Sequence, residues 1–438
     1  MKKLLPTLMF SACLGVISTS VLADPPVPQF YAEAQKIAPT GKLGEVVKKE
    51  KIKTSVKGAQ AWKIAYISSD VAGNKTIATG LIVAPVGPAP AEGRPIIGWA
   101  HGTTGTAQNC GPSQILDPVV PLNEYFLIGG NSWTDYGIPS VDEFIAQGYV
   151  IAATDYQGLG GGGRHQYSLA NTNGKDAFNS VRAASSMKET GAGKKAALYG
   201  WSQGGGAVLA AASMPEYIAQ KGTAADGIEL VGAIGLAPYD NAAMVPNLPT
   251  NEAEAQKVMD GFIAMFSKTV FDFAHLSMAL WGLEPGNPQL KLNDLFTDDG
   301  VKAMNEIYAN KCMHTGADTL SYNFGDSYKS LLKAERTNTL GWVNAIIKGS
   351  NPPVKPVAPV VIYWGTADVT NPPIMGKLYQ EQMCKMGASV DRVQLPGKQT
   401  HFTTPGTSAQ FYLPWIKDRF AGKPATNNCA LAAQLPIN

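Results

Sequence analysis

Three residue types that together perform covalent acyl transfer recur in suggestive settings along this sequence. Ser202 lies in "GWSQGGG" at 200–206, Asp368 in "GTADVTNPP" at 365–373, and His401 in "QTHFTTPG". A serine hydroxyl is a poor nucleophile until a base takes its proton, and that base must be neutral and oriented by a third group. His401 follows an apolar stretch ending at Leu395 and suits the base. Asp368 follows the apolar run Val360 to Trp364 and suits the orienting acid. Asp391 is the rival acid, but it falls at the amino end of its apolar stretch, and open α/β sheets build sites at the carboxyl ends of strands. A negative tetrahedral intermediate also needs fixed N–H donors. The backbone of Gln203 supplies one, and "WAHGTTGTAQNCG" at 99–111 places either Thr103 or Thr104 as the other, a choice the sequence leaves open. His101 is expected to shape that loop rather than to react.

The surrounding elements explain how such residues could meet. "AWKIAYIS" (61–68) and "TIATGLIV" (76–83) alternate around "AGNK" and predict a β-hairpin. "RPIIGWA" (94–100) and "YVIAATD" (149–155) are continuous apolar runs, as strands buried on both faces are. "VDEFIAQG" and "DAFNSVRAASSMKE" read as helices, and "GGAVLAAASM" reads as a small-residue helix directly after Ser202. Strands alternating with helices predict an α/β protein with a mostly parallel sheet covered on both faces. Ser202 then sits on a sharp strand-to-helix turn, with Gly200 and Gly204 where side chains would collide. That is the nucleophile elbow of an α/β-hydrolase, in which the chain order is serine, acid, histidine, as here.

Residues 24 to about 58 read as a polar, Lys-rich lead-in. Residues 24–238 and 351–438 are expected to form the hydrolase core. The interval 239–350 is too long for a plain connection. Apolar residues recur in it at helical spacing, among them Met259, Phe262, Phe266, Phe273, Leu280, Trp342 and Ile346, and predict an inserted helical cap. Phe266 and Phe273 are its expected pocket-lining residues.

The first 23 residues, with Lys2 and Lys3, an apolar stretch and "VLA" before Asp24, read as a secretory signal peptide. Its removal leaves 34 of the 36 basic residues against 34 acidic ones, a balance with no basic footprint for nucleic acid. No later run approaches the roughly 20 apolar residues of a membrane span. Cys13 lies within the signal; Cys110, Cys312, Cys384 and Cys429 remain, an even number that favours two disulfides in any of three pairings. None sits in a C-x-x-C pair, and His165, His275 and His314 show no metal spacing, so no metal is expected. The glycine run at 158–163 lacks the Lys-Ser/Thr of a phosphate loop and reads as a flexible rim of the site. "TDDG" at 297–300 reads as a helix N-cap rather than a calcium loop.

Taken in order, "HGTTG", "ATDYQGLGGGGRHQYSL", "DAFNSVRAA", "GWSQGGGAVLAAA", "GTADVTNPP" and "THF" resemble the secretory lipases of the lipase-A type over nearly all of the chain after the signal. "GGGG" at 160–163 departs from the Pro-bearing stretch common there. The resemblance implies an α/β-hydrolase acting on carboxylic esters without cofactor, with a helical cap before the acid-bearing strand. It assigns Ser202 as nucleophile, Asp368 as acid, His401 as base and the "HGTTG" loop as oxyanion contributor. It also implies that Cys110 pairs with Cys312 and Cys384 with Cys429. A serine peptidase on the same fold and a non-catalytic binding protein with a relict fold are the competing expectations. Acyl length, natural ester and oligomeric state are not encoded in any recognisable pattern.

Overall fold

The structure, a computed structural model, describes residues 27–115, 117–119, 137–245 and 247–436. The expected signal segment lies outside them. Strands β1 (Val46–Ile52), β2 (Ala59–Ser69), β3 (Lys75–Pro85), β4 (Arg94–Ala100), β5 (Val150–Gln157), β6 (Ala192–Trp201), β7 (Glu229–Leu236), β8 (Val360–Trp364) and β9 (Val390–Gln394) form one sheet in the order 1-2-3-5-4-6-7-8-9. The helices are α1 (Gln29–Ala34), α2 (Val141–Ala146), α3 (Ala170–Ser186), α4 (Gln203–Ala212), α5 (Pro215–Ala219), α6 (Glu252–Met265), α7 (Val270–Leu283), α8 (Asp298–Asn310), α9 (Met313–Phe324), α10 (Thr339–Gly349), α11 (Ile374–Lys385) and α12 (Thr404–Phe420).

β1 to β3 and the β3–β5 pair are antiparallel, and β5 through β9 run parallel. Because side chains alternate across a strand, neighbours such as Ile96 and Ile97 serve opposite faces. Ile96, Ala152, Leu198 and Ile362 pack with Phe178 and Val181 of α3, Val208 of α4 and Tyr379 of α11. Ile97, Ile151, Tyr199 and Val361 pack with Phe144 of α2 and Tyr412 of α12. The result is a three-layer α/β/α core. From β4 the chain steps to β5 on one side and then returns past β4 to β6 on the other. The carboxyl ends of β4 and β6 therefore meet at the point where strand order reverses, where open α/β sheets place their sites.

The lead-in differs from expectation. Residues 29–34 form α1, which buries Phe30 and Tyr31, and residues 46–52 form edge strand β1, paired antiparallel to β2. Its sequence, VVKKEKI, hides the period because the strand is half exposed, and charges on an edge strand discourage pairing with another chain. The opposite edge is covered by the C-terminal tail. Asn428 imitates a strand partner of β9, its Oδ1 accepting from Arg392 N–H at 3.0 Å and its Nδ2 donating to Arg392 O at 2.9 Å.

Between β7 and β8 lie α6 to α10, which pack around their own apolar cluster containing Met259, Phe273, Leu295, Met304, Leu320 and Trp342. α8 starts at the "TDDG" segment, where Gly300 N–H donates to Thr297 Oγ1 at 3.1 Å. The disulfide Cys110–Cys312 joins the loop after β4 to the start of α9, and Cys384–Cys429 joins α11 to the tail. Among the described residues, no helix is long and apolar enough to cross a membrane.

Candidate active site

Ser202 occupies a single-residue turn between β6 and α4, with φ 59° and ψ −117°. A non-glycine residue in this region is strained, and only surrounding bonds maintain it. Ser202 N–H donates to Leu236 O at 2.9 Å, and Ser202 O accepts from Gly206 N–H at 3.1 Å and Tyr239 N–H at 3.2 Å. The flanking glycines are required by close approach. A Cβ at Gly204 would lie 1.9 Å from Ala100 O, and one at Gly200 would lie 2.3 Å from Gly204 O. This contact presses the loop after β4 against the start of α4, so the segment containing Thr103 lies beside Ser202.

Asp368 follows β8, and His401 precedes α12. His401 Nδ1 is 2.8 Å from Asp368 Oδ2, and both side chains are almost wholly buried. The carboxylate's other oxygen accepts from the N–H groups of Thr370 and Asn371, each at 2.9 Å. Because the carboxylate can only accept, His401 Nδ1 carries the hydrogen and Nε2 is left with the lone pair a base needs. Trp201 Nε1–H donates to His401 O at 3.0 Å, which ties the histidine loop to the elbow. Asp391 lies elsewhere, with Oδ2 accepting from the Thr426 hydroxyl at 3.5 Å, and partial burial raises its pKa.

Ser202, His401 and Thr103 line one cavity, together with Trp201, Phe271, His275, His314 and Thr370. The Thr103 hydroxyl lies 2.7 Å from that of Tyr167. Thr104 is oriented differently: its carbonyl accepts from Met313 N–H at 2.9 Å, and its buried hydroxyl has no partner among the described residues. His101 is buried, with Nδ1 2.6 Å from Gly102 O and Nε2 3.3 Å from Asp155 O, and burial pushes its pKa down to about 4. Those contacts give it the loop-shaping position expected from the sequence.

One participant escaped sequence reasoning. His165 Nδ1–H donates to Gln157 O at 2.7 Å, which leaves Nε2 to accept from the Gln203 amide at 3.1 Å. The same amide donates to Asn173 Oδ1 at 3.1 Å. Gln203, whose backbone N–H begins α4, is thus held by two buried partners. Nothing in the "RHQYSL" segment distinguishes such a histidine from an ordinary core residue. Burial lowers its pKa to about 3, so it stays neutral and able to accept.

The glycine run at 158–163 is also placed differently from expectation, since none of its residues lines a cavity that includes Ser202. Gly160 and Gly162 N–H donate to Gln108 Oε1 at 3.2 and 2.9 Å, and a Cβ at Gly161 would lie 2.3 Å from Ile77 O. The run packs against β3, and a close backbone approach explains its composition better than a rim does.

A second cavity that includes Ser202 is bordered by Tyr167, Gln203, Tyr239, Phe266 and Asp272. It shares Tyr167, Tyr239 and Phe266 with a more apolar chamber, to which Leu169, Phe262, Leu280 and Ile346 contribute. Phe266 borders both. Phe273 does not line either; it is fully buried inside the insertion, its ring 5.1 Å from that of Tyr328. Helix packing claims it instead.

A mostly parallel sheet covered on both faces, with a serine elbow at the switch point of strand order, defines an α/β-hydrolase. Within that class the chain belongs to the secretory lipase family, which it matches over residues 131–428. Lipase 10 of Candida albicans is 24% identical, the match covering 96% of this chain and 87% of that protein. A secreted triacylglycerol lipase of Malassezia globosa is also 24% identical, over 88% of this chain and 79% of its own length. Among solved structures, Candida antarctica lipase A superposes with a TM-score of 0.68 at 17% identity, covering 93% of this chain and 89% of that one. A ligand-bound rice cell wall degrading esterase of Xanthomonas oryzae gives 0.63 at 15% identity, covering 87% of this chain and 100% of that one.

Proposed function

We propose that this protein is a secreted serine hydrolase that cleaves carboxylic esters through Ser202, His401 and Asp368. The observation that carries the reading is the buried His401–Asp368 pair, with His401 lining the same cavity as the elbow serine. His401 Nε2 takes the Ser202 proton as Oγ attacks the ester carbonyl. The tetrahedral oxygen is met by the backbone N–H of Gln203 and by the Thr103 segment. Thr103 is preferred to Thr104 because it borders the cavity, while Thr104 is turned towards α9. Collapse expels the alcohol with the proton returned by His401, and water then hydrolyses the acyl-enzyme by the same steps. No metal or organic cofactor enters this chemistry.

Residues 239–350 act in this reading as a cap. The chamber between α6, α7 and α10 accepts the acyl chain, and burying each methylene contributes about 0.8 kcal/mol. A peptidase reading gains one observation, since Asp272 borders the Ser202 cavity and a carboxylate could hold a substrate amine. Its Oδ2, however, already accepts from the backbone and hydroxyl of Thr269 at the start of α7.

Nitrophenyl esters of increasing acyl length and an aminoacyl nitroanilide, assayed on wild type, Phe266→Ala and Phe273→Ala, test the reading. Ester turnover without anilide turnover supports it. Phe266→Ala alters the ranking of long against short acyl chains, whereas Phe273→Ala lowers stability without re-ranking. Preferred cleavage of the anilide transfers the assignment to the peptidase class.

A further inference from the structure

The leaving alcohol has a definite place in this site. In ester cleavage the acyl–oxygen bond breaks, the Ser202 Oγ–acyl bond forms, and the proton moves from Ser202 through His401 to the departing oxygen. The alcohol must therefore leave past His401, and the cavity that contains both Ser202 and His401 is the one that receives it. Most of its wall is aromatic and apolar, with Trp201, Phe271, Met313 and Phe402, and Thr103, Thr370 and His314 complete it.

His275 interrupts that wall. It projects from α7, the insertion helix whose side chains are otherwise mostly apolar, and borders both cavities that include Ser202. His275 Nδ1 lies 2.9 Å from the carbonyl oxygen of Phe271, one helical turn earlier. A carbonyl only accepts, so Nδ1 carries the hydrogen and Nε2 is an acceptor. Burial lowers the His275 pKa to about 4, so the ring stays neutral and the lone pair is retained at ordinary pH. The Phe271 ring packs edge-on against it at 4.6 Å, fixing its plane. The site thus holds a fixed acceptor on the path of the leaving group, set among Phe271, Met313 and Phe402 with Thr103, Thr370 and His314 on the same wall. An alkyl alcohol or an alcohol esterified at every other position offers it no donor.

We propose that the alcohol side of the site recognises an ester whose alcohol carries a further free hydroxyl, a polyol monoester, with that hydroxyl donating to His275 Nε2. This rests on the assignment of Ser202 and His401 above. Specificity built this way depends on leaving no buried polar group unpaired when the right substrate is bound.

The test uses one acyl chain on four alcohols: propanol, glycerol (1-monoester), glucose (6-monoester) and a glycerol fully esterified with the same acid. Wild type is expected to show kcat/KM for the glycerol monoester roughly tenfold above that for the propyl ester, the scale of one net hydrogen bond. The glucose ester distinguishes a sugar from a glycerol source of the same hydroxyl chemistry. His275→Leu should collapse the monoester-to-propyl ratio towards unity, and His275→Gln, which retains an acceptor, should preserve most of it. If His275→Leu fails to fold, the wild-type ratios and the Gln variant still decide. A ratio near one in wild type, or one unchanged in His275→Leu, overturns the proposal while ester cleavage itself stands. Absence of hydrolysis of all four esters counts instead against the underlying assignment.

Discussion

His401 Nδ1 and Asp368 Oδ2 lie 2.8 Å apart, and the second oxygen of Asp368 is held by two backbone N–H groups. The pairing locks one tautomer of the histidine, so Asp368→Asn should be far more damaging than its small change in shape suggests. An amide nitrogen presented to Nδ1 favours the tautomer with hydrogen on Nε2, which cannot take a proton from serine. The expected loss in kcat is roughly 10³ to 10⁴-fold with KM little changed. Asp391→Asn, at the amino end of β9, should leave kcat unaffected. Steady-state kinetics of the two variants decide between the acids.

Gly204→Ala should be poorly tolerated, because its new Cβ would meet the carbonyl of Ala100 at 1.9 Å and neither backbone can withdraw. A loss of at least about 3 kcal/mol in stability or failure to fold is expected. Gly261→Ala provides the contrast, since that glycine lies within α6 with nothing near its Cβ position. It should stabilise by roughly 0.5 to 1 kcal/mol through helix propensity. Thermal unfolding of both variants tests the paired signs.

The two disulfides close chain segments of 202 and 45 residues. In the chain-entropy model they contribute about 5 and about 4 kcal/mol respectively. Their functional effects should differ more. Cys110–Cys312 stitches the Thr103 loop to α9 beside the Thr104–Met313 bond, whereas Cys384–Cys429 secures the tail that covers β9. Replacing Cys110 and Cys312 by Ala should lower both melting temperature and kcat. The Cys384 and Cys429 double substitution should lower melting temperature with kcat retained at temperatures where the protein is folded.

Asp176 is buried in α3, with Oδ2 accepting from Gln157 N–H at 3.0 Å, and burial raises its carboxyl pKa from 3.8 to about 7. The folded state keeps this proton to higher pH than the unfolded chain does, so the stabilisation it provides is lost as pH rises from about 4 through 7. Asp176→Asn removes that dependence. Relative to wild type, the variant should gain a few kcal/mol between pH 4.5 and pH 8, measured by urea unfolding at each pH. An identical difference at both values would mean that Asp176 titrates as an ordinary carboxyl.

What the sequence showed follows from how locally each feature is encoded. The elbow was legible because steric closeness at Gly200 and Gly204 leaves glycine as the residue that fits. The hairpin β2–β3, the buried strands and the α8 cap at Thr297 announced themselves by period or by capping chemistry. β1 was hidden because its stability comes from pairing with β2 across the turn, not from an apolar pattern of its own. The partners of Gln203 and the difference between Thr103 and Thr104 depend on which way a side chain faces after folding, which no spacing records. Phe266 and Phe273 show the same limit: both are apolar residues at helical spacing, yet only the first borders the cavity beside Ser202.

The most direct test of the account is covalent labelling with an alkyl fluorophosphonate, which forms a phosphorus–oxygen bond to an activated serine and expels fluoride. Intact-mass measurement should show one adduct per chain, peptide mapping should place it on Ser202, and ester hydrolysis should fall in proportion to labelling. The Ser202→Ala variant, folded by circular dichroism, should take up no label and hydrolyse no ester. Hydrolysis that persists after Ser202 is fully labelled, or loss of activity with the adduct on another residue, would contradict it.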